Sequence, residues 1–197
     1  MTAGEQKLVE KSLYWADSSL LAIFDLKTVA GDLSMAFSQP NTVALSRSAA
    51  VRYFGTANPV GRSIRVDHMQ PLEVRAVYED FPNNSTLDAA VIGSLASVDV
   101  SYKNNPWSNA SFETWLLLGP DASPQHVQEQ LAVVLDKNVP KPDQYFSMSL
   151  QALADAHLHS SELRNNYSER LGDPKQVNLL GILALAVLLI ACFNYMN

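Results

Sequence analysis

The chain has 197 residues, a formal net charge of −6 and one cysteine, Cys192. That acid excess argues against a nucleic-acid partner, which needs clustered Lys and Arg to neutralise phosphates, and against a broad attraction to anionic lipid. The length is enough to bury a proper core in one domain or two small lobes, and the only thiol lies in the last apolar stretch, so the rest has none to oxidise.

In chain order, residues 5–17 carry Leu8, Val9, Leu13, Tyr14 and Trp15 and read as an extended segment. Residues 18–24 read as a short helical turn behind a capping serine. Residues 26–30 predict a strand closed by Gly31-Asp32, and residues 41–45 predict a compact strand after Pro40. Ser46 is placed to cap a helix over 47–54 whose Ala49, Ala50, Tyr53 and Phe54 share one face, with Gly55 at its C-cap. Asn58-Pro-Val-Gly61 is a turn. Ser63-Ile-Arg-Val66 and Leu72-Glu-Val-Arg-Ala-Val-Tyr78 alternate apolar and charged residues around a loop at 67–71. That predicts a hairpin with one buried face and one wet face.

Residues 81–85 break the pattern, 89–95 form a further apolar element that reads equally as strand or helix, and 102–111 read as an irregular loop. Residues 112–118 predict a strong strand, ended by Gly119-Pro120. Ser123 as cap and Pro124 at the first helical position open a helix. Val127, Leu131, Val134 and Leu135 recur along it at helical spacing, and Pro140 and Pro142 stop it. Residues 145–153 predict a final strand, and 157–175 read as polar and irregular. Strands and helices mix without a regular βαβ alternation, which predicts an α+β fold built on a mixed sheet.

The last stretch, residues 177–197, contains no charge, and every charged residue of the chain precedes it. As a helix it would be roughly 31 Å long, close to the thickness of a hydrocarbon core. Its apolar residues, among them Val177, Leu180, Leu183, Val187, Ile190 and Phe193, cover every side. Such a helix has no water-facing surface and reads as a membrane span in contact with lipid. The sequence therefore divides into a water-soluble domain over 1–176 and a transmembrane helix over 177–197. No apolar leader is present in residues 1–7, and the chain reads as a piece of a longer protein.

Signals for chemistry are sparse. There is no GxxxxGK[ST], GxGxxG, CxxC or HExxH pattern, so neither a nucleotide, a zinc ion nor any other cofactor is expected, and no catalytic site is detectable. His157-Leu-His159, with Asp155 or Glu162, has the letters of a metal site at a spacing that occurs often by chance. Asp155, His157 and Ser160 mimic a hydrolase triad but lack the strained nucleophile turn and oxyanion hole that such a triad needs. Glu79 and Asp80 are adjacent on a strand end, where side chains point apart, so they read as solvated rather than as a joint acid and base. Asn83, Asn84, Asn109 and Asn166 each open an N-x-[ST] triplet and mark exposed turns.

Several segments carry a resemblance to a known family. Val43-Ala-Leu-Ser-Arg-Ser-Ala-Ala-Val-Arg-Tyr-Phe-Gly55 followed by Asn58-Pro-Val-Gly-Arg62, then Val74-Arg-Ala-Val-Tyr-Glu-Asp-Phe-Pro-Asn-Asn-Ser85, resemble the MacB-like periplasmic domain of FtsX-type ABC-transporter permeases. Ala156-His-Leu-His-Ser160, Gly172-Asp-Pro174 and Leu189-Ile-Ala-Cys-Phe-Asn-Tyr-Met-Asn197 are similar to that family's approach to, and end of, a second transmembrane helix. The resemblance covers most of the chain from Trp15 onward and aligns with nothing at 97–111. It implies the extracytoplasmic domain of a bacterial inner-membrane permease, with its soluble part in the periplasm. The partners it implies are a cytoplasmic ATPase subunit, a second permease copy and, in some systems, a periplasmic adaptor protein. It gives His157 a structural place. Gly172, Asp173, Pro174 and Lys175 are then expected to be the joint between domain and helix. A membrane-tethered sensor feeding a signalling module and a membrane-anchored hydrolase are the readings from other classes.

Overall fold

The computed structural model describes residues 2–3, 6–7, 10, 12–66, 70–83, 85, 87–98, 107, 112–160 and 172–196, with residues 2–3, 6–7, His157 and His159 described by backbone alone. The chain forms two compact units, Met1–Asn83 with Asp88–Met148, and Asn84–Leu87 with Ser149–Asn197.

In the first unit, β1 (Thr2–Ala3) and β2 (Gln6–Lys7) make a small antiparallel pair. Five strands then form one mixed sheet in the order β3 (Leu13–Ala16), β8 (Val91–Ser94), β5 (Thr42–Ser46), β7 (Leu72–Tyr78), β4 (Thr28–Gly31), and β6 (Ser63–Ile64) also pairs with β7. The pairings β3–β8 and β5–β7 are parallel; the others are antiparallel. This is the mixed-sheet α+β architecture expected of the sequence.

Helix α3 (Arg47–Phe54) covers one face of the sheet, with Ala49, Ala50 and Tyr53 packed against Val43, Leu45, Val74, Val77 and Val91. Its limits follow from local chemistry as the sequence predicts. The Ser46 hydroxyl accepts from the Ala49 amide at 3.2 Å, and Gly55 ends the helix at φ 61°, where a side chain would be strained. Helix α2 (Leu33–Ser38) covers the other face with Leu33, Ala36 and Phe37 against Ala44, Ala76, Tyr78 and Ile92. This helix is not among the elements expected of the sequence; Asp32 caps it by accepting from the Ser34 and Met35 amides.

The buried hydroxyls of Thr42, Ser94 and Tyr78 are matched. Thr42 Oγ1 donates towards the carbonyls of Ala36 and Gln39, Ser94 Oγ to Phe37 and Tyr78 Oη to Ala89, at 2.6–3.0 Å. Burial and neighbouring carboxylates, Asp80 first, push the Tyr78 hydroxyl far above its ordinary pKa, so it stays a donor.

The β6–β7 hairpin forms as expected, but β7 does not have one wet face. Leu72, Val74 and Val77 join the core under α3, whereas Ala76 and Tyr78 join the core under α2. A bulge is the reason. Val43 lies beside Val74 and Ala44 beside Ala76, so Arg75 faces no residue of β5 and the alternation changes parity there. Gly31, at φ 76°, accommodates that bulge from the neighbouring strand. A Cβ on it would fall 2.1 Å from the Arg75 carbonyl oxygen.

Three other expectations are corrected and one left open is settled. The turn over 18–24 becomes α1 (Leu20–Ile23), whose N-cap Ser19 makes no side-chain cap bond; Asp17 holds the turn instead by accepting from the Ser19 amide and hydroxyl. Residues 89–95 resolve into β8 and a 3₁₀ turn, Leu95–Ser97. Residues 112–118 are not a strand. They run without a ladder partner among the described residues, with Phe112, Leu116 and Leu117 exposed and Trp115 set edge-on to Phe24 at 5.5 Å. Residues 145–153 likewise form no strand, although burial alternates along 145–150. The loop expected at 102–111 lies outside the described residues apart from Trp107.

Helix α4 (Pro124–Asn138) has its predicted cap and N-terminal proline, with the Ser123 hydroxyl accepting from the His126 amide at 3.4 Å. Leu135 and Val139 are buried, and Gln128 Nε2 ties the helix to the Met148 carbonyl at 3.0 Å. In the second unit, α5 (Leu153–His159) takes in the start of the segment expected to be irregular over 157–175, of which 161–171 lie outside the described residues, and α6 spans Pro174–Met196.

Candidate functional site: an uncovered apolar helix and its N-terminal joint

The helix expected over 177–197 begins earlier. The Asp173 side chain accepts from the Lys175 amide at 2.8 Å, and the Asp173 carbonyl accepts from the Val177 amide at 3.2 Å. Asp173 therefore satisfies orphan donors at the helix start, and Pro174 fills the first helical position, where no N–H is needed. Of the four residues expected to form a joint, Gly172 and Asp173 precede α6, while Pro174 and Lys175 belong to its capped first turn.

Helix α6 has 23 residues and is about 35 Å long. Its most apolar 18-residue window has a mean hydropathy of 2.4, and none of that window is buried. Val177, Leu180, Leu183, Val187, Ile190 and Phe193 fall along one stripe and are each 53–66% exposed. Leu179, Ile182, Leu185 and Leu189 on the opposite side are equally bare, at 50–65%. The backbone polar groups of the helix interior are satisfied within it, but its side chains lack apolar surroundings. In the absence of protein cover, a hydrocarbon phase is the environment that matches it.

Of the residues that mimic chemistry, the described ones do not assemble a site. Ser160 is buried and donates to Gln151 Oε1 at 3.0 Å, and Asp155 is exposed on α5. The side chains of His157 and His159, and Glu162, lie outside the described residues. No group of three metal-ligating side chains occurs among the described residues. Asn83 is exposed in a turn, while Asn84, Asn109 and Asn166 lie outside the described residues.

Glu79 and Asp80 part company as expected of adjacent strand residues, yet neither is merely solvated. Glu79 meets Arg47 at 3.5 Å, and Asp80 takes the Ser48 amide at 3.0 Å and the Ser48 hydroxyl at 2.9 Å. Partial burial pushes the Asp80 pKa up, but bonds from Ser48 and Ser46 and the charge of Arg47 outweigh it and hold the carboxyl below its usual range. The two carboxylates thus serve the N-terminus of α3.

Two further groupings were not visible in the sequence. One is a shallow, open cleft of about 380 Å³ between α1, β4 and α2, with Leu21, Phe24, Leu26 and Leu33 as apolar walls and Asp25 and Asp32 at its rim. The other joins Glu10 to Arg52 and Tyr53, 42 and 43 positions apart in the chain. Burial first, then the Glu10 charge, pushes the Tyr53 hydroxyl up to about 12. No local signal in the sequence announces a pairing over that separation.

The sequence profile of the MacB-like periplasmic core domain matches residues 2–134. Among solved structures, a domain of a proposed permease from Porphyromonas gingivalis is 19% identical, covers 78% of this chain and 74% of its own, and superposes with a TM-score of 0.55. The likeness at that identity is one of fold. The periplasmic region of MacB from Actinobacillus actinomycetemcomitans is 15% identical over 69% of this chain and 60% of that region, with a TM-score of 0.49. No curated protein matches the sequence.

Proposed function

The chain belongs to the MacB-like periplasmic core domain family, the extracytoplasmic part of permease-type ABC-transporter components, and we propose that it relays ATPase-driven motion to export substrates or to partner proteins. ATP hydrolysis in such a system takes place in a separate ATPase subunit. The observation that carries the reading is the joining, in one chain, of the family-matched mixed-sheet domain to a 23-residue helix bare on every side.

On this reading residues 1–176 work in the periplasm, residues 177–197 span the inner membrane, and two permease copies act together over a cytoplasmic ATPase. A periplasmic adaptor protein is a further partner. Gly172, Asp173, Pro174 and Lys175 act as the coupling joint. The support for this is their place at the helix start and the Asp173 cap, which lets a displacement of α6 travel into the preceding chain without first unwinding a turn.

The test is a flexible Gly/Ser insertion after Asp173 in the permease co-purified with its ATPase. ATP hydrolysis should continue while the nucleotide-dependent change in hydrogen exchange of the sheet disappears. A sheet response as large as that of the unmodified protein would rule out coupling through this joint.

A further inference from the structure

Strand β3 is an edge strand of the sheet. It lies at the end of the strand order and pairs over four residues with β8 alone, in the parallel arrangement. None of its residues is fully buried, whereas every residue of β5 and β8 is. Two side-chain contacts supplement that short ladder. The Trp15 ring lies across Gly93 of β8, so close that a Cβ there would come within 2.3 Å of it.

The second contact lies just ahead of the strand. The Glu10 side chain is only 8% exposed, and its Oε2 pairs with Arg52 Nη2 and accepts from the Tyr53 hydroxyl at 3.3 Å. The other oxygen accepts from the Ser12 amide at 3.3 Å, and the Ser12 carbonyl accepts the Ala90 and Val91 amides at 3.0 and 3.2 Å. Arg52 also stands 5.6 Å from the centre of the Tyr53 ring. One carboxylate thus binds α3 on one side and the start of the β3–β8 ladder on the other.

We propose that Glu10, Arg52 and Tyr53 form a clasp that holds β3 on the sheet as a detachable strap, and that opening the clasp releases β3 and bares the outer edge of β8. A buried carboxylate with its donors in place is stable, but one that loses a donor is left uncompensated, so the clasp tends to be whole or absent. That cooperativity turns the ordinary fraying of an edge strand into two discrete states. In the released state β8 keeps its pairing with β5 and is left open along its outer edge. The clasp is independent of the transport reading and is tested without it.

The measurement is amide hydrogen exchange of the whole chain in detergent micelles. Glu10→Gln, which keeps size and removes charge, should speed exchange of the β3 amides about tenfold or more while α2 and β7 keep wild-type rates. Tyr53→Phe, which removes one hydroxyl, should give a smaller change at the same amides. Gly93→Ala, which displaces Trp15, should release the same strand by a separate route. Wild-type rates at β3 in both Glu10→Gln and Tyr53→Phe would overturn the proposal. So would equal acceleration at β3, α2 and β7, the mark of global destabilisation. If Glu10→Gln does not fold, Tyr53→Phe alone decides by the same criteria.

Discussion

Strand β5 and helix α6 are both apolar and nearly free of charge, yet among the described residues one is fully covered and the other bare along its length. All five residues of β5 are buried, with β7 on one side, β8 on the other, and α2 and α3 over its faces. Helix α6 satisfies its own backbone and covers none of its side chains. Apolar composition therefore states only that water must be excluded. What excludes it depends on period and length. A five-residue strand needs neighbours for its backbone as well as its side chains, and so is tied to a sheet. A 23-residue helix needs none for its backbone and is free to meet a solvent of another kind.

That contrast can be broken by experiment. The largest expected effect is from Leu45→Ala in β5, which should lower the free energy of urea unfolding by about 2–5 kcal/mol through lost burial and a residual cavity. The same truncation in α6, Leu183→Ala, should leave the unfolding midpoint essentially unchanged. Equal losses would mean that α6 is packed in protein. Next in size is Leu185→Lys at the middle of α6, which should cost about 2.5–3.5 kcal/mol of membrane integration on insertion scales. The fraction resisting carbonate extraction should fall for this variant and not for Leu45→Ala.

The smallest effects lie at the cap of α3. Ser46→Ala should cost about 1 kcal/mol of stability, through loss of the bond to the Ala49 amide. Asp80→Asn supplies the pH-dependent counterpart. Because the folded-state pKa of Asp80 is depressed, its contribution is complete above the ordinary value of 3.8 and fades as pH falls through the folded value. The melting temperatures of wild type and Asp80→Asn should therefore differ at neutral pH and converge in acid.

Features written locally in the sequence are the ones that could be read from it. Ser46 before Arg47 and Gly55 after Phe54 delimit α3 because caps act within one turn, and Ser123-Pro124 delimits α4 in the same way. The long apolar helix was legible because length and composition suffice for it, and the start at Pro174 was within reach in the Asp173-Pro174 pair. Residues 112–118 and 145–153 have strand-like composition, but a strand exists only where another supplies its ladder, and no local pattern reports that. Helix α2 was hidden by its six-residue length, although Asp32 with Leu33, Ala36 and Phe37 carried its cap and its buried face. The two-faced burial of β7, the Trp15–Gly93 contact and the Glu10 clasp depend on register and on distant residues, which a linear reading does not contain.

The bulge at Arg75 makes β7 a strand whose residues must be counted. Up to Val74 it serves one core, and from Ala76 onward its alternate residues are shared between two, with the offset set by one supernumerary position. Deleting Arg75 would close the bulge and leave Val77 and Tyr78 on their present faces, because Val74 and Ala76 would then follow one another as Val43 and Ala44 do. Loops tolerate a change in length. Within β7 itself, a single residue inserted or deleted away from the bulge is a change of frame, with the consequences a frameshift has in a message.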